Sequence, residues 1–299
     1  MTGAPLVSVC AVVVAYYPDA EFESRLRALL PQVAALVVVD NTPTIGRSRT
    51  IALPPLQAAR VCLIENSDNL GVGAALNQGL AQAVAWSCDC LLTLDQDSCS
   101  YPDMVQTLLA ARAGCLPSPV VIGSNYLDPR NGKTKVPKGG TAEFLEQTTV
   151  ITSGSLVDVR FAQAIGGFRA DFFIDQLDHE FCLRVRSHGG RVVIGCKVGM
   201  AHSVGEEGGT WLPLLGRLPN HAPLRKYYVA RNSLVTIARY WRTEPGWCMR
   251  RATRLWLGLF LMATMERQRL RKVGAFVAGV VDAVAGRMGP CRHKCLQRI

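Results

Sequence analysis

Two carboxylates separated by a single residue follow a strand-like run in the segment CDCLLTLDQDSCS, residues 88–100. Asp95 and Asp97 would be costly to bury together unless a cation compensated their charge. Hard divalent cations such as Mg²⁺ and Mn²⁺ bind carboxylate oxygens together with the phosphate oxygens of a substrate. The pair therefore predicts a Mg²⁺ or Mn²⁺ site that holds a diphosphate. A solvated turn after a strand is the plainer alternative for so short a pattern.

The elements around this pair alternate between strands and helices. The strands are expected at 7–15, 35–39, 61–65 and 90–94, and the helices at 20–30 and 73–85. Such alternation predicts a parallel sheet covered by helices on both faces, which binds ligands at the carboxyl ends of its strands. Asp40, the loop 66–73 and the two carboxylates all fall at that edge.

The glycines of the 66–73 loop match a dinucleotide-binding fingerprint only in part. Leu76 occupies the third glycine position, and the glycines follow a polar loop and not a strand, which weakens a nicotinamide oxidoreductase. The interpretation that we favour is a turn at Asn69 and Gly71 that opens a helix, with free N–H groups facing the ligand edge. A plain helix start is the alternative.

A second acidic cluster, Asp175, Asp178 and Glu180, lies far downstream among phenylalanines. A solvated helix face is the default for such a run. The interleaved aromatic residues instead indicate partial burial, and a partly buried carboxylate suits general-base catalysis. His202 directly follows a predicted strand, so it is either a structural histidine or a further ligand of the metal.

The composition is that of a globular protein, with 299 residues, 49% of them hydrophobic and 19% charged. Without the marks of a signal peptide, and with eleven scattered cysteines, a reduced cytoplasmic protein is expected. Residues 1–205 hold 16 Lys and Arg against 18 Asp and Glu, a balance of −2, whereas residues 206–299 hold 17 against 5, a balance of +12. Two functional regions are therefore expected, with an anionic partner for the second.

The second region combines tryptophans with basic and apolar residues. Trp247 and Trp256 accompany seven Arg and Lys between 250 and 272, and the longest charge-free run, 255–265, is too short to span a bilayer. This pattern favours an interfacial helix on an anionic membrane surface over a helix packed on the first region. We expect no nucleic-acid partner, because no basic–aromatic recognition module is present.

An ordered set of motifs now identifies a family resemblance. The set runs along the chain as AYYP (15–18), VDN (39–41), NLG (69–71), LLTLDQDS (91–98), SGSLVDVRFAQAIGGFRADFFID (153–175), LDHEFCLR (177–184) and RKYYVARNS (225–233). It resembles the inverting family-2 glycosyltransferases of the GT-A fold, and in particular their bacterial rhamnosyltransferase branch. The resemblance implies a Rossmann-like mixed α/β sheet covered by helices, with a basic helical C-terminal extension.

Within that fold the resemblance implies a nucleotide-sugar-binding half at 1–105, an acceptor-side half at 106–205 and the extension at 206–299. On the donor side, Asp40 would pair with the nucleobase and Tyr16 would pack near it. Asn69 and Gly71 would belong to the nucleotide-sugar site, and Asp95 would face the ribose.

For catalysis, the resemblance implies that Asp97 binds the Mg²⁺ or Mn²⁺ ion, with His202 as a second protein ligand. Asp178 would be the catalytic base, and Arg231 would lie near the diphosphate. Gln96 stands between the two carboxylates, which leaves fewer acidic groups for the metal.

The implied reaction moves L-rhamnose from dTDP-L-rhamnose to a lipid-linked saccharide at the inner face of the membrane. A rhamnolipid-type hydroxyacyl acceptor is a close variant. A non-catalytic nucleotide-sugar-binding or membrane-scaffold protein is an alternative from another class.

Overall fold

The computed structural model describes residues 7–45, 51, 60–137, 142–203, 210–212, 216–218 and 222–297. In chain order its elements are β1 Val9–Ala15, α1 Phe22–Leu29, β2 Ala35–Asp40, β3 Arg60–Glu65, α2 Val72–Ala85, β4 Cys90–Asp95, β5 Cys99–Ser100, α3 Met104–Gly114, β6 Val121–Asp128, β7 Lys133–Thr134, β8 Phe144–Glu146, β9 Ser155–Asp158, α4 Val159–Ala164, α5 Leu177–Ser187, β10 Val192–Ala201, β11 Thr210–Leu212, β12 Gly216–Leu218, α6 Pro223–Tyr240, α7 Pro245–Met265, α8 Arg269–Val284 and α9 Lys294–Gln297. The predicted boundary at 205/206 lies outside the described residues.

One large sheet organises the chain, with strand order β3-β2-β1-β4-β9-β6-β10-β5. The first four strands run parallel to one another, as the sequence predicts. β9 then runs antiparallel to both β4 and β6, while β6 and β10 are parallel. The sheet is therefore mixed, and the predicted fold class is confirmed.

Helices cover both faces of this sheet because successive residues of each strand point to opposite sides. On one side of β1, Val12 packs into a core that α2 and α5 complete. On the other side, Val13 packs into a core formed with α1 and α3. Gly79 brings α2 close to the sheet, since a Cβ there would lie 2.3 Å from Cγ2 of Val12.

A buried ionic cluster joins α5 to α6. Glu180 is 0% exposed, and it accepts hydrogen bonds from Nη2 of Arg184 at 3.0 Å and from the hydroxyl of Tyr240 at 2.8 Å. Arg184 also donates to the carbonyls of Ile165 and Gly167, at 2.7 and 2.6 Å. Glu180, one of the three residues in the acidic cluster of the sequence, is therefore buried in the interior and has a structural role.

The C-terminal helices α6, α7 and α8 pack on one another around a small apolar core that includes Leu255, Met262 and Phe276. Among the described helices, none is both long and apolar enough to cross a bilayer.

The Glu180 cluster gives the first prediction. Glu180→Ala should lower the free energy of unfolding by about 3 kcal/mol or more, because it leaves Arg184 charged and buried without its carboxylate. Lys197→Ala, which breaks an ion pair with Asp103 at the surface, should cost less than about 1 kcal/mol. Urea denaturation of both variants measures the difference, and equal losses would contradict the assigned role of Glu180.

Candidate active site

A cleft of about 560 Å³ opens at the carboxyl ends of β1 and β4. Its walls come from the loop after β4, from residues 151–153 and from the loop that leads into α5. Five residues singled out from the sequence line it: Tyr16, Asp95, Asp97, Asp178 and His202. Residues more than 180 positions apart in the chain are thus brought to one opening.

Three of these side chains form a cluster with the chemistry of a metal site. Asp95, Asp97 and His202 each offer a ligand atom, and these atoms all lie within 4.8 Å of one another. Nε2 of His202 lies 3.9 Å from Oδ2 of Asp95, and its Nδ1 lies 3.5 Å from Oδ1 of Asp97. Two carboxylates and one imidazole fit a divalent cation, with room in the open cleft for oxygen atoms of a substrate.

Two serines orient this cluster through hydrogen bonds. Oγ of Ser98 lies 3.0 Å from Nδ1 of His202 and 2.6 Å from Oγ of Ser153. Ser153 in turn accepts a hydrogen bond from the backbone N–H of Asp95 at 3.2 Å. Such secondary contacts fix the orientation of metal-binding side chains.

Gln96, the residue between the two carboxylates, ties neighbouring strand ends together. Its side-chain oxygen accepts a hydrogen bond from the backbone N–H of Tyr16 at 2.7 Å. The backbone carbonyl of Gln96 accepts a hydrogen bond from Nε of Arg25 at 2.8 Å. An amide at this position therefore holds the end of β1 against the end of β4.

The carboxylates of the cleft act on one another. Burial, together with the nearby charges of Asp97 and Asp178, raises the pKa of Asp95 to about 6, while His202 and Arg225 oppose the shift. The charged form of Asp95 is therefore disfavoured until a cation is close to it.

The loop before α5 has an unusual backbone. Phe173, Asp175 and Gln176 have positive φ angles of 66°, 62° and 66°, a conformation that costs energy for residues other than glycine. The carbonyl of Phe173 accepts a hydrogen bond from the N–H of Val72 at 2.7 Å. Gly71 has a φ of +85°, and a Cβ there would lie 2.6 Å from that same carbonyl oxygen. Only glycine fits this contact between the start of α2 and the loop.

Asp178 lies in the first turn of α5, directly after this loop, and its Oδ1 accepts the N–H of His179 at 2.8 Å. The first turn of a helix favours a negative charge, since free N–H groups point toward it. The carboxylate of Asp178 faces the cleft that also holds the Asp95–Asp97–His202 cluster.

Arg231 lies beneath the loop and not in the cleft. It is 0% exposed, and its guanidinium donates to the carbonyls of Asp171, Phe172 and Gly289 at 3.2, 3.1 and 2.6 Å. This placement does not support the predicted contact with the diphosphate, because the donors of the side chain are directed to backbone oxygens.

Asn232 completes the support of the loop. Its side-chain amide donates to the carbonyls of Phe172, Ile174 and Asp175 at 3.0, 2.8 and 3.0 Å. Arg225, two turns earlier on the same face of α6, lines the cleft and pairs with Asp175 at 2.9 Å. These two residues belong to the RKYYVARNS motif, yet sequence analysis did not assign a role to either.

Asp40, Asn69 and Gly71 lie beside the cleft and are not among the described residues that line it. Asp40 is 1% exposed at the end of β2, and its Oδ1 accepts the N–H of Thr42 at 2.8 Å. Oδ1 of Asn69 accepts the N–H of Gly71 at 2.9 Å, which shapes the turn that opens α2. The predicted roles of these residues toward a nucleotide stay predictions.

Comparisons with known proteins extend this picture. Residues 10–151 match the family described as "Glycosyl transferase family 2". The chain is 26% identical over 247 residues to the dTDP-rhamnosyl transferase RfbF of Shigella flexneri, an alignment that covers 78% of this chain and 80% of that protein.

Solved structures share the fold at low sequence identity. The crystal structure of residues 1–349 of S. aureus TarS has a TM-score of 0.57 at 13% identity, covering 94% of this chain and 83% of that one. A structure of GalNAc-T7 with UDP, GalNAc and Mn²⁺ has a TM-score of 0.57 at 11% identity, covering 94% and 57%. Residues 10–151 therefore carry a family-2 glycosyltransferase domain, and the described chain has the mixed α/β fold of the GT-A glycosyltransferases.

Proposed function

We propose that the protein is a metal-dependent inverting rhamnosyltransferase that moves L-rhamnose from dTDP-L-rhamnose to a lipid-linked saccharide. The observation that carries the proposal is that Asp178 and the Asp95–Asp97–His202 cluster line one cleft. The choice of donor is supported by the name of the S. flexneri relative, which describes a dTDP-rhamnosyl transferase.

In this proposal the donor diphosphate lies beside Asp95, Asp97 and His202, which would hold the Mg²⁺ or Mn²⁺ ion. When bound, that ion supplies positive charge to offset the charge that develops on the leaving diphosphate. Arg225 lines the same cleft, so its guanidinium adds to the positive potential there. Tyr16 supplies an exposed aromatic face at the mouth of the cleft for the nucleoside.

Asp178 accepts the proton of the acceptor hydroxyl. As the hydroxyl oxygen bonds to the anomeric carbon of rhamnose, the bond from that carbon to the diphosphate oxygen breaks and dTDP leaves. A single displacement of this kind inverts the anomeric configuration, and its transition state has oxocarbenium character. Asp178 and the cluster must therefore face the sugar from opposite sides.

The two alternatives differ in what they predict for turnover. A hydroxyacyl acceptor of the rhamnolipid type keeps every donor-side role and changes only the acceptor. A non-catalytic binding protein would bind the donor and release no nucleotide. The presence of Asp178 in the cleft favours an enzyme over a binding protein.

Replacing the base tests the reaction. Asp178→Asn should lower transfer from dTDP-L-rhamnose by about 10²–10⁴-fold while donor affinity stays within about twofold, because the amide cannot accept the proton. The assay measures release of dTDP by the purified protein, with membrane lipid extract as acceptor and a panel of nucleotide sugars as donors. Asp89→Asn, the same change at the opposite end of β4, serves as control. An equal loss of donor affinity in Asp178→Asn would argue against a base.

The metal cluster gives a pH prediction. The pKa of Asp95 is raised to about 6, so a proton competes with the cation below that pH. Affinity for Mn²⁺ should therefore be full above about pH 7 and decline as the pH falls through 6. Calorimetric titration with Mn²⁺ measures this, and Asp97→Asn should weaken binding at all pH values. Transfer that persists in EDTA would contradict a metal-dependent reaction.

We also propose that the protein works at the cytoplasmic face of a membrane through α7 and α8. α7 exposes Trp256 and Phe260, at 60% and 62%, and the same helix also exposes Arg250 and Arg254. Further exposed apolar residues follow a helical spacing along α8: Leu270, Val277, Val281 and Val284. A helix that exposes both aromatic residues and arginines, as α7 does, is suited to the interface of a membrane with anionic lipid.

Vesicle sedimentation tests this surface. Wild type should pellet with vesicles that contain anionic phospholipid and remain in the supernatant with neutral vesicles. Trp256→Ala with Phe260→Ala should reduce pelleting about tenfold, since the double variant lacks two aromatic side chains that would be buried in the lipid. Ile45→Ala, an exposed apolar residue on another part of the chain, is the control. Pelleting that does not depend on lipid charge or on these two residues would reject the proposal.

A further inference from the structure

A second cavity adjoins the cleft on the side of Asp178. It has a volume of about 230 Å³ and lies between β6, the segment 147–151 and the first half of α7. His179 and Ile151 line both this cavity and the cleft, so the two spaces are neighbours. We call it the acceptor-side cavity.

The walls of the acceptor-side cavity are rich in positive charge. Lys135, Arg250, Arg251 and Arg254 all line it, and none of them pairs with a carboxylate among the residues that the structure describes. Some basic residues elsewhere in the described chain do pair with carboxylates, as Arg184 does with Glu180. Four cations around one concave space attract an anion.

Arg251 is held ready for such a ligand by a neutral group. Its Nε and Nη2 donate to Oγ of Ser233 at 3.0 and 2.8 Å, which fixes the guanidinium without neutralising it. Burial lowers the pKa of Arg251, and the nearby charge of Arg254 lowers it further, while Asp178 and Asp175 oppose the shift. The positive charge of the basic residues that line the acceptor-side cavity is therefore only partly compensated by nearby carboxylates.

The pKa of His179 is affected by the same positive charges. Burial lowers the pKa of its imidazole, and the charges of Arg251, Arg254 and Lys135 lower it further against the opposing charge of Asp178. Its Nδ1 lies 2.9 Å from Oγ1 of Thr149 in the cavity wall. The imidazole of His179 thus lies between the cationic cavity and the proposed base, Asp178, which immediately precedes it in the chain.

We propose that the acceptor-side cavity is an anion subsite for the acceptor, which holds a phosphate group carried by the acceptor while the acceptor hydroxyl faces Asp178. This inference rests on the proposed function and adds to it the class of acceptor, a phosphorylated molecule. The cavity is separate from the Asp95–Asp97–His202 cluster, so it is not needed for the donor diphosphate.

Binding of phosphate monoesters tests the subsite without turnover. Monoesters are chosen because they sequester Mg²⁺ less than diphosphates do. The full-length protein is titrated calorimetrically, with Mg²⁺ and saturating dTDP present so that the donor cleft is filled. The probes are glucose 1-phosphate, as a soluble phosphate, and farnesyl phosphate below its micelle concentration, as a lipid phosphate.

Two double variants carry the same change of net charge. Arg250→Gln with Arg254→Gln removes two exposed arginines of the cavity, and Arg267→Gln with Arg271→Gln removes two exposed arginines outside it. The first should weaken binding of the better probe at least about tenfold, since charge-assisted hydrogen bonds are lost. The second should leave the affinity within about twofold.

Tighter binding of farnesyl phosphate assigns the site to a lipid-linked acceptor, and equal or tighter binding of glucose 1-phosphate assigns it to a soluble one. No binding by the wild type, or the same affinity in both double variants, overturns the proposal. Thermal unfolding verifies that the variants fold. Lys135→Gln, at the residue after β7, repeats the test from another wall of the cavity. Release of dTDP by the wild type is measured separately, so failure of the donor assignment is distinguished from failure of the subsite.

Discussion

The repulsion among three carboxylates at one opening is the constraint on which the rest of the site depends. Asp97 and Asp178 both raise the pKa of Asp95, and burial raises it more. His202 and Arg225 compensate only part of this charge. In the proposed reaction a cation would complete this cluster, and a leaving diphosphate would then meet positive charge where two aspartates alone would repel it.

The second requirement is to hold Asp178 in place on a backbone that is costly to form. Three residues with positive φ precede it, and the carbonyls of that loop point toward α6, where Arg231 and Asn232 donate to them. Because the carbonyl of Phe173 also accepts the N–H of Val72, the start of α2 and the loop of the base form one unit. A change in α6 is therefore transmitted to Asp178, the proposed base, through the hydrogen bonds of this loop.

Strand periodicity and the carboxyl-edge rule predicted the parallel half of the sheet and the position of Asp95 and Asp97 at its edge. The expectation that His202 and Asp178 join them came from the family resemblance. The sequence could not predict where Arg231 points. A motif records which residues occur together, but a buried arginine that binds carbonyls and one that binds a diphosphate look alike in sequence. Glu180 was missed for the same reason, since its burial depends on Tyr240 in a helix 60 residues away.

The distribution of positive charge around Asp178 suggests how the two substrates are told apart. In the proposed reaction, Arg225 and a metal that the Asp95–Asp97–His202 cluster would hold supply the positive charge on one side, which suits a diphosphate that must leave. On the other side the positive charge comes from side chains of α7 with no carboxylate partner among the described residues, which suits a phosphate that stays attached to its molecule. The same helix also exposes Trp256 and Phe260. An acceptor that carries both a phosphate and a lipid would contact the arginines and the exposed aromatic residues of α7 at once. One helix would then both align the acceptor hydroxyl with Asp178 and dock the protein on a membrane.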